Sequence, residues 1–384
     1  MPPPTLPDEL LEEVFLCLPP DEPALLVRTS LASKFWLGLL TGAAFHGRYR
    51  EFHGAPPMLG FFYCRPPYPD SPEKETEPVF LSTTKFSPRV FDHQSWRYPM
   101  PLDCRHGRVV IGDQVGIPTR KLTVSDPMTG CWWDLGAPMF FESYGAAVLC
   151  AVIGCDHRAC HDGPFRVIFV GLDHKLHAGT TVASVWLSSP ETECTEPSSD
   201  FQLSEWGKAI SGFHIEADPY IQPTCPILVE DALHFMLVYA DDDDRAGILK
   251  YDLSSNCLSL IDTPLHVVDT SGTTILMEMK DGSLGFAYVD ELTLYLSSRQ
   301  PGSHGVASWT KCKVINLQEL LPILNPENRL TLIGSIAGRD IIFVNTGLGI
   351  YEINLKKLRW KKIWKKEKIR TLVPYMSFYN PQEL

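Results

Sequence analysis

No Asn-x-Ser/Thr acceptor occurs anywhere in the 384 residues, and positive charge falls short of negative, for a net charge of −12. No apolar run approaches the roughly 18 residues that a membrane helix needs. The best of them, Gly145 to Gly154, is too short. The first residues, Met1-Pro2-Pro3-Pro4, lack the positive start and apolar centre of a secretory leader. The charge argues against a general nucleic-acid binder, because phosphate backbones need a positive surface. The eleven cysteines are odd in number and scattered from Cys17 to Cys312. That fits a reducing compartment, where buried Cys acts mainly as a small hydrophobe. The expectation is a cytosolic or nuclear protein that crosses no membrane.

Enzyme signatures are missing as well. There is no Gly-x-Ser-x-Gly elbow, no Gly-rich phosphate loop and no His-Glu-x-x-His. Isolated Ser, His and Asp residues abound, and spacing alone neither proposes nor excludes a triad. What is present is 44% apolar and 21% charged residues, the proportions of a folded chain.

The first fifty residues carry helical patterns. Leu10, Leu11, Val14, Phe15 and Leu18 lay one apolar stripe along a helix that Pro7 starts and Pro19-Pro20 stops. Asp21 is placed to cap a second helix, with Pro23 in its first turn and Leu25, Leu26, Val27 and Leu31 as its body. A third follows Ser33 with Phe35, Trp36, Leu39 and Leu40, and a short Ala43 to Phe52 segment comes after Thr41-Gly42. A bundle of this size is near the lower limit for folding alone, so a partner or a docked domain should complete it. Periodicity leaves open whether it is a partner-binding module or a cap on the larger domain.

The order Leu6-Pro7, Leu10-Leu11, Val14, Leu18-Pro19, Leu25-Leu26, Leu31, Lys34 and Trp36 resembles the F-box, the segment by which substrate receptors hook onto the Skp-type adaptor of a cullin ubiquitin ligase. Ser33 stands where many members have Cys, and Phe35 where a basic residue is common. The resemblance implies that Leu6, Pro7, Leu10, Leu11 and Val14 face the adaptor. Leu18, Leu25, Leu26, Leu31 and Trp36 would join them or hold the helices together.

From Leu59 the texture changes to short β-like runs broken by Pro, Gly, Asp and Ser. Examples are Gly60–Tyr63, Arg108–Ile111, Arg166–Val170, Leu233–Tyr239, Leu284–Val289 and Asp340–Val344. They predict an all-β domain, a sandwich or a propeller. A weak repeat favours the propeller. Val124-Ser125-Asp126-Pro127-Met128-Thr129-Gly130-Cys131-Trp132 has the form of Lys250 to Leu258 and of Ile353 to Trp360, with looser copies near Ser189 and Ser298. The spacings, 63, 63, 46 and 56, run from within the usual blade repeat of about 40 to 50 to well beyond it, so the ring is irregular with long insertions. Six blades fit best, beginning near residues 59, 103, 165, 228, 275 and 330, with five or seven as alternatives. The Asp-Pro-x-Thr-Gly turn is similar to that of the F-box-associated β-propellers of plant F-box proteins. The expected organisation is mainly β: a three-helix F-box over 1–53 and an irregular propeller over 54–384.

Three clusters invite a chemical reading. Cys150, Cys155, His157, Cys160 and His161 hold zinc-type donors, yet their spacing is not the tight Cys-x2-Cys knuckle, and a loop between strands is preferred. Asp241 to Asp244 reads as a solvated turn. Lys356 to Arg370, with nine basic residues and one Glu, has the elements of an RNA face or an import signal. Its alternation also suits a last-blade strand, the preferred reading, whose basic face remains free for an acidic partner. No cofactor is expected. The family resemblance implies a non-catalytic receptor that binds the Skp-type adaptor, reaches cullin through it, and presents an unidentified protein target. An adaptor-bound scaffold outside any ligase is the alternative, and a channel enzyme the remote one.

Overall fold

The computed structural model describes residues 7–64, 79–88, 99–113, 121–139, 141, 143–152, 155, 163–177, 180–189, 206–239, 245–264, 273–302, 307–323, 329–365, 369 and 371–378. Four helices come first: α1 (Asp8–Leu16), α2 (Pro23–Ser30), α3 (Lys34–Thr41) and α4 (Ala43–His53). The short segment after Gly42 is thus a full fourth helix, longer than any of the other three. Asp21 does not cap α2. Glu22 occupies that position without a side-chain bond, and Pro23 starts the helix by fixing φ where no N–H is needed. Ser33 does cap α3, its Oγ accepting from the Trp36 N–H at 3.1 Å.

Six small antiparallel sheets follow, arranged as a β-propeller. The first holds β1 (Met58–Cys64) and β2 (Val79–Ser82). The second is β3 (Pro99–Arg105), β4 (Arg108–Asp113), β5 (Leu122–Ser125) and β6 (Trp132–Asp134). The third is β7 (Ser143–Cys150), β8 (Phe165–His177), β9 (Thr180–Ser188) and β10 (Gly207–Glu216). The fourth has a broken inner strand, β11 (Pro219–Ile221) and β12 (Ile227–Val229), then β13 (Ala232–Tyr239), β14 (Ala246–Asp252) and β15 (Cys257–Asp262). The fifth is β16 (Thr274–Glu278), β17 (Leu284–Asp290), β18 (Thr293–Gln300) and β19 (Ser308–Asn316), followed by the one-turn helix α5 (Leu317–Leu320). The sixth is β20 (Thr331–Ile336), β21 (Ile341–Thr346), β22 (Gly349–Asn354) and β23 (Arg359–Lys365).

The last strand, β24 (Thr371–Met376), does not extend blade 6. It pairs antiparallel with β1 and becomes the inner strand of blade 1, packing between β20 and β3. Ring closure therefore joins the two ends of the propeller segment by a hydrogen-bonded ladder. A ring of sheets buries both faces of each, which one four-stranded sheet alone does not do. The blade-to-blade cores are continuous and apolar, such as Phe141, Tyr144, Phe169 and Trp186 between blades 2 and 3.

The blade count of six matches the sequence expectation, but blade 3 begins at Ser143, not near 165. Its inner strand, β7, is the apolar run noted above. The repeated turns are equivalent in detail at three places. Asp126 Oδ1 accepts from the Thr129 N–H at 3.3 Å, Asp252 Oδ1 from Ser255 at 3.0 Å, and Asn354 Oδ1 from Lys357 at 2.8 Å. Their fifth residues, Gly130, Asn256 and Leu358, all have φ between 50° and 79°. Ser298 does not belong to this set, since it lies inside β18.

Among the described residues no helix is long and apolar enough to cross a membrane. Eight described cysteines are free thiols, but Cys131 is disulfide-bonded, which departs from the expectation of reduced thiols throughout.

Candidate functional site

The helical module sorts its apolar residues into two sets. Phe15, Leu16, Leu26, Leu40, Phe45 and Tyr49 are buried together, with Leu11, Leu18 and Trp36 packed against them. Trp36 meets Phe15 edge-on at 5.1 Å. Across the sequence-predicted residues, Leu26 at 1% exposure and half-buried Leu11, Leu18 and Trp36 hold the helices together, and Leu25 is half-buried outside that core. Leu10 at 51%, Val14 at 55% and Leu31 at 59% point outward, as does Pro7. Leu6 lies outside the described residues. Phe35, noted in the sequence only as a departure, is 51% exposed and is an outward aromatic of the same module. Its apolar type at a commonly basic position was the available signal.

Polar bonds fix α4 against α1. Arg48 pairs with Glu12 at 2.8 Å and with Glu13. The Tyr49 hydroxyl donates to the Leu18 carbonyl at 2.7 Å, and the His53 ring donates from Nε2 to the Leu16 carbonyl at 2.8 Å. The carbonyls that end α1 are thereby satisfied. Burial pushes the Tyr49 phenol well above its ordinary value, so it stays a donor. The module is also joined to the ring. Phe378, just beyond β24, is 5% exposed within the helical core, Arg339 donates to the Pro56 carbonyl at 2.8 Å, and the Ser377 N–H donates to Pro57.

The shaft of the propeller is filled by its own chain. Between β11 and β12, Gln222 to Pro226 leave the sheet and cross toward the opposite blades. The Thr371 hydroxyl of β24 donates to the Pro223 carbonyl, and Arg105 of β3 donates to the Pro226 carbonyl. Arg105 also pairs with Asp103 at 2.5 Å, and Asp103, 1% exposed, accepts from the Val148 N–H at 3.0 Å. Burial raises the Asp103 carboxyl, while Arg105 and the backbone donors oppose that shift. The thiols of Cys104 and Cys225 are raised, chiefly by burial, and Glu278 is raised by burial against the pull of Arg105. A cavity of about 100 Å³ remains, lined mostly by apolar side chains such as Ile227, Leu276, Ile333 and Leu372. Asp103 is thus occupied by Arg105, which in turn holds the crossing segment.

Of the zinc-type donors, Cys150 ends β7 with its sulfur accepting from the Val152 N–H at 3.4 Å, and Cys155 is half-buried. His157, Cys160 and His161 lie outside the described residues, as do Asp241 to Asp244. Among the described residues no three His, Cys, Asp or Glu side chains form a metal-type group. Arg359–Lys365 of the basic segment form β23, the outer strand of blade 6, and residues 366–368 and 370 lie outside the described residues.

Residues 4–45 match the family model for the F-box domain. The helical module is an F-box. No curated protein matches the chain. Solved structures resemble it only distantly. The WD40 domain of SCAP from fission yeast is 14% identical over 74% of this chain and 59% of that one, with a TM-score of 0.35. A quinonprotein alcohol dehydrogenase-like protein from Bacteroides thetaiotaomicron is 12% identical over 81% and 64%, at 0.37. A GH43 protein from Bacillus licheniformis is 9% identical over 74% and 58%, at 0.34. The chain spans about three fifths of the length of each, and no functional statement follows from likenesses of this extent.

Proposed function

We propose that the chain is a substrate receptor of an SCF-type ubiquitin ligase. Residues 1–53 bind a Skp-type adaptor and through it cullin, and 54–384 present a protein target. The carrying observation is the outward set Pro7, Leu10, Val14, Leu31 and Phe35 on a module matched as an F-box. Large apolar side chains held open on a small folded bundle are the anchors of a hydrophobic interface. The receptor needs no catalytic group of its own. Tethering raises the effective concentration of target lysines near the ubiquitin-carrying subunits. The plugged shaft leaves the blade rims and loops as the target-facing surface, which favours this reading over a channel enzyme.

The test is a double variant, Leu10→Asp with Val14→Asp. Both sites are more than half exposed, so the melting temperature should hold while adaptor pull-down is lost. Undiminished adaptor binding by the folded double variant would defeat the assignment.

A further inference from the structure

On this acidic chain a dense group of unpaired cations gathers at one edge. Arg359, Lys361, Lys362 and Lys365 of β23, with Lys356 and Lys357 in the turn before it, are all exposed. None of them pairs with a carboxylate among the described residues, although Glu352 sits opposite Lys361 in the ladder. Blade 5 adds Lys313 of β19, whose ammonium donates to the Leu355 carbonyl in the same turn. The two outer strands therefore form one basic rim.

Among the described residues β23 is also an open ladder edge, the last strand in the order β20-β21-β22-β23. Lysines on an edge strand ordinarily guard against pairing with another chain. That guard acts by like charge, so it repels a second copy of this edge and attracts an acidic strand. A guard has no need of Trp360, however. Its indole is 43% exposed, set edge-on to Tyr351 at 5.3 Å and flanked in sequence by Arg359 and Lys361. Lys362 lies over the same Tyr351 ring at 5.9 Å.

We propose that β23 accepts an extended acidic protein segment as a fifth strand of blade 6. The added backbone completes the open ladder, carboxylates on one face of the added strand meet Arg359 and Lys361, and an apolar side chain on its other face covers Trp360 beside Lys362. A polynucleotide fits less well. The attraction of the rim is confined to about 8 Å at physiological salt, and beyond it a long polyanion meets a chain of net charge −12.

The test uses the full chain without adaptor, so its failure and failure of the adaptor reading are separate results. A fluorescent peptide of about ten residues alternating Glu with Val is titrated by anisotropy. Binding should appear and weaken about threefold as salt rises from about 50 to about 200 mM. Lys361→Glu with Lys362→Glu should weaken it about tenfold, and Trp360→Ala several-fold, both with unchanged melting temperature. A peptide with two central Glu replaced by Pro, which cannot complete the ladder, should bind about tenfold more weakly. Equal binding to wild type and the charge-reversed variant overturns the proposal. So does undiminished binding of the proline peptide, which would mean charge adhesion without strand addition. Equal binding of an oligouridylate of the same charge also overturns it.

Discussion

The Phe378 ring stands 6.0 Å from that of Tyr49 at an angle of 76°, a residue just past the ring-closing strand set into the core of the helical module. Tyr49 in turn stacks on Phe45 at 5.6 Å and meets His53 at 4.5 Å. The F-box core therefore includes a side chain from the far end of the propeller.

Phe378→Ala removes that ring and should cost about 3–5 kcal/mol, the range for buried Phe→Ala changes. The loss should fall on α1–α4. Hydrogen exchange should show faster exchange of their amides with β13 still protected. Uniform loss of protection across the propeller would contradict this local account.

Leu26→Ala and Leu31→Ala should part company although the two residues share one helix and its cap. Leu26 is buried at 1%, so its truncation costs about 2–5 kcal/mol. Leu31, at 59%, should change stability by no more than about 0.5 kcal/mol and weaken adaptor binding instead. Chemical denaturation and a binding titration on both variants separate the two roles.

Arg105→Ala leaves Asp103 buried without its cation and the Pro226 carbonyl without its donor. A loss of about 3–5 kcal/mol is expected in denaturant unfolding. Asp103→Asn with Arg105→Met should recover much of it, because the uncompensated charge is then gone.

His234 carries a pH signature. It is 4% exposed, donates from Nδ1 to the Ile227 carbonyl at 3.3 Å, and burial lowers its pKa from 6.5 to about 4. The unfolded chain binds the proton more readily, so stability is full above about pH 6.5 and falls as pH drops toward 4. The loss sums to about 3 kcal/mol. His234→Phe should flatten that part of the melting-temperature profile relative to wild type. An unchanged slope between pH 6.5 and 4 would contradict the assignment.

The equivalent turns make opposite predictions at their fifth residues. Gly130 at φ 79° should lose about 1 kcal/mol as Ala. Leu358 at φ 50° is 46% exposed and gains about 0.5 kcal/mol as Asn, which tolerates that conformation. Paired melting curves decide it.

The six runs recognised in the sequence as strands are β1, β4, β8, β13, β17 and β21, the second strand of every blade. Each has a partner strand on both sides and neighbouring blades on both faces, so it reads as an unbroken apolar run. Inner strands were harder to read. Their shaft side is an open ladder edge, which tolerates Pro99 and Pro101 in β3, Pro219 in β11 and Pro374 in β24. Proline reads as a break, so the broken inner strand of blade 4 is hidden in the sequence, whereas β7 of blade 3 holds no Pro and reads only as a short apolar run. In the helical module the residue types were legible but their directions were not. Leu25, Leu26 and Leu31 look alike in a periodic pattern, and only packing against α3, α4 and Phe378 decides which is covered. Phe378 itself follows a strand, and no helical periodicity in the sequence around it announces its place.

The way the ring closes also sets an order of events at the ribosome. The four helices are made before the propeller, yet the aromatic side chain that fills their core arrives long afterwards, behind the strand that seals blade 1. Until then the nascent bundle is short of a core residue and the propeller is short of an inner strand. A product cut off within blade 6 lacks both at once. One truncation thus opens the ring and leaves a gap in the helical core together.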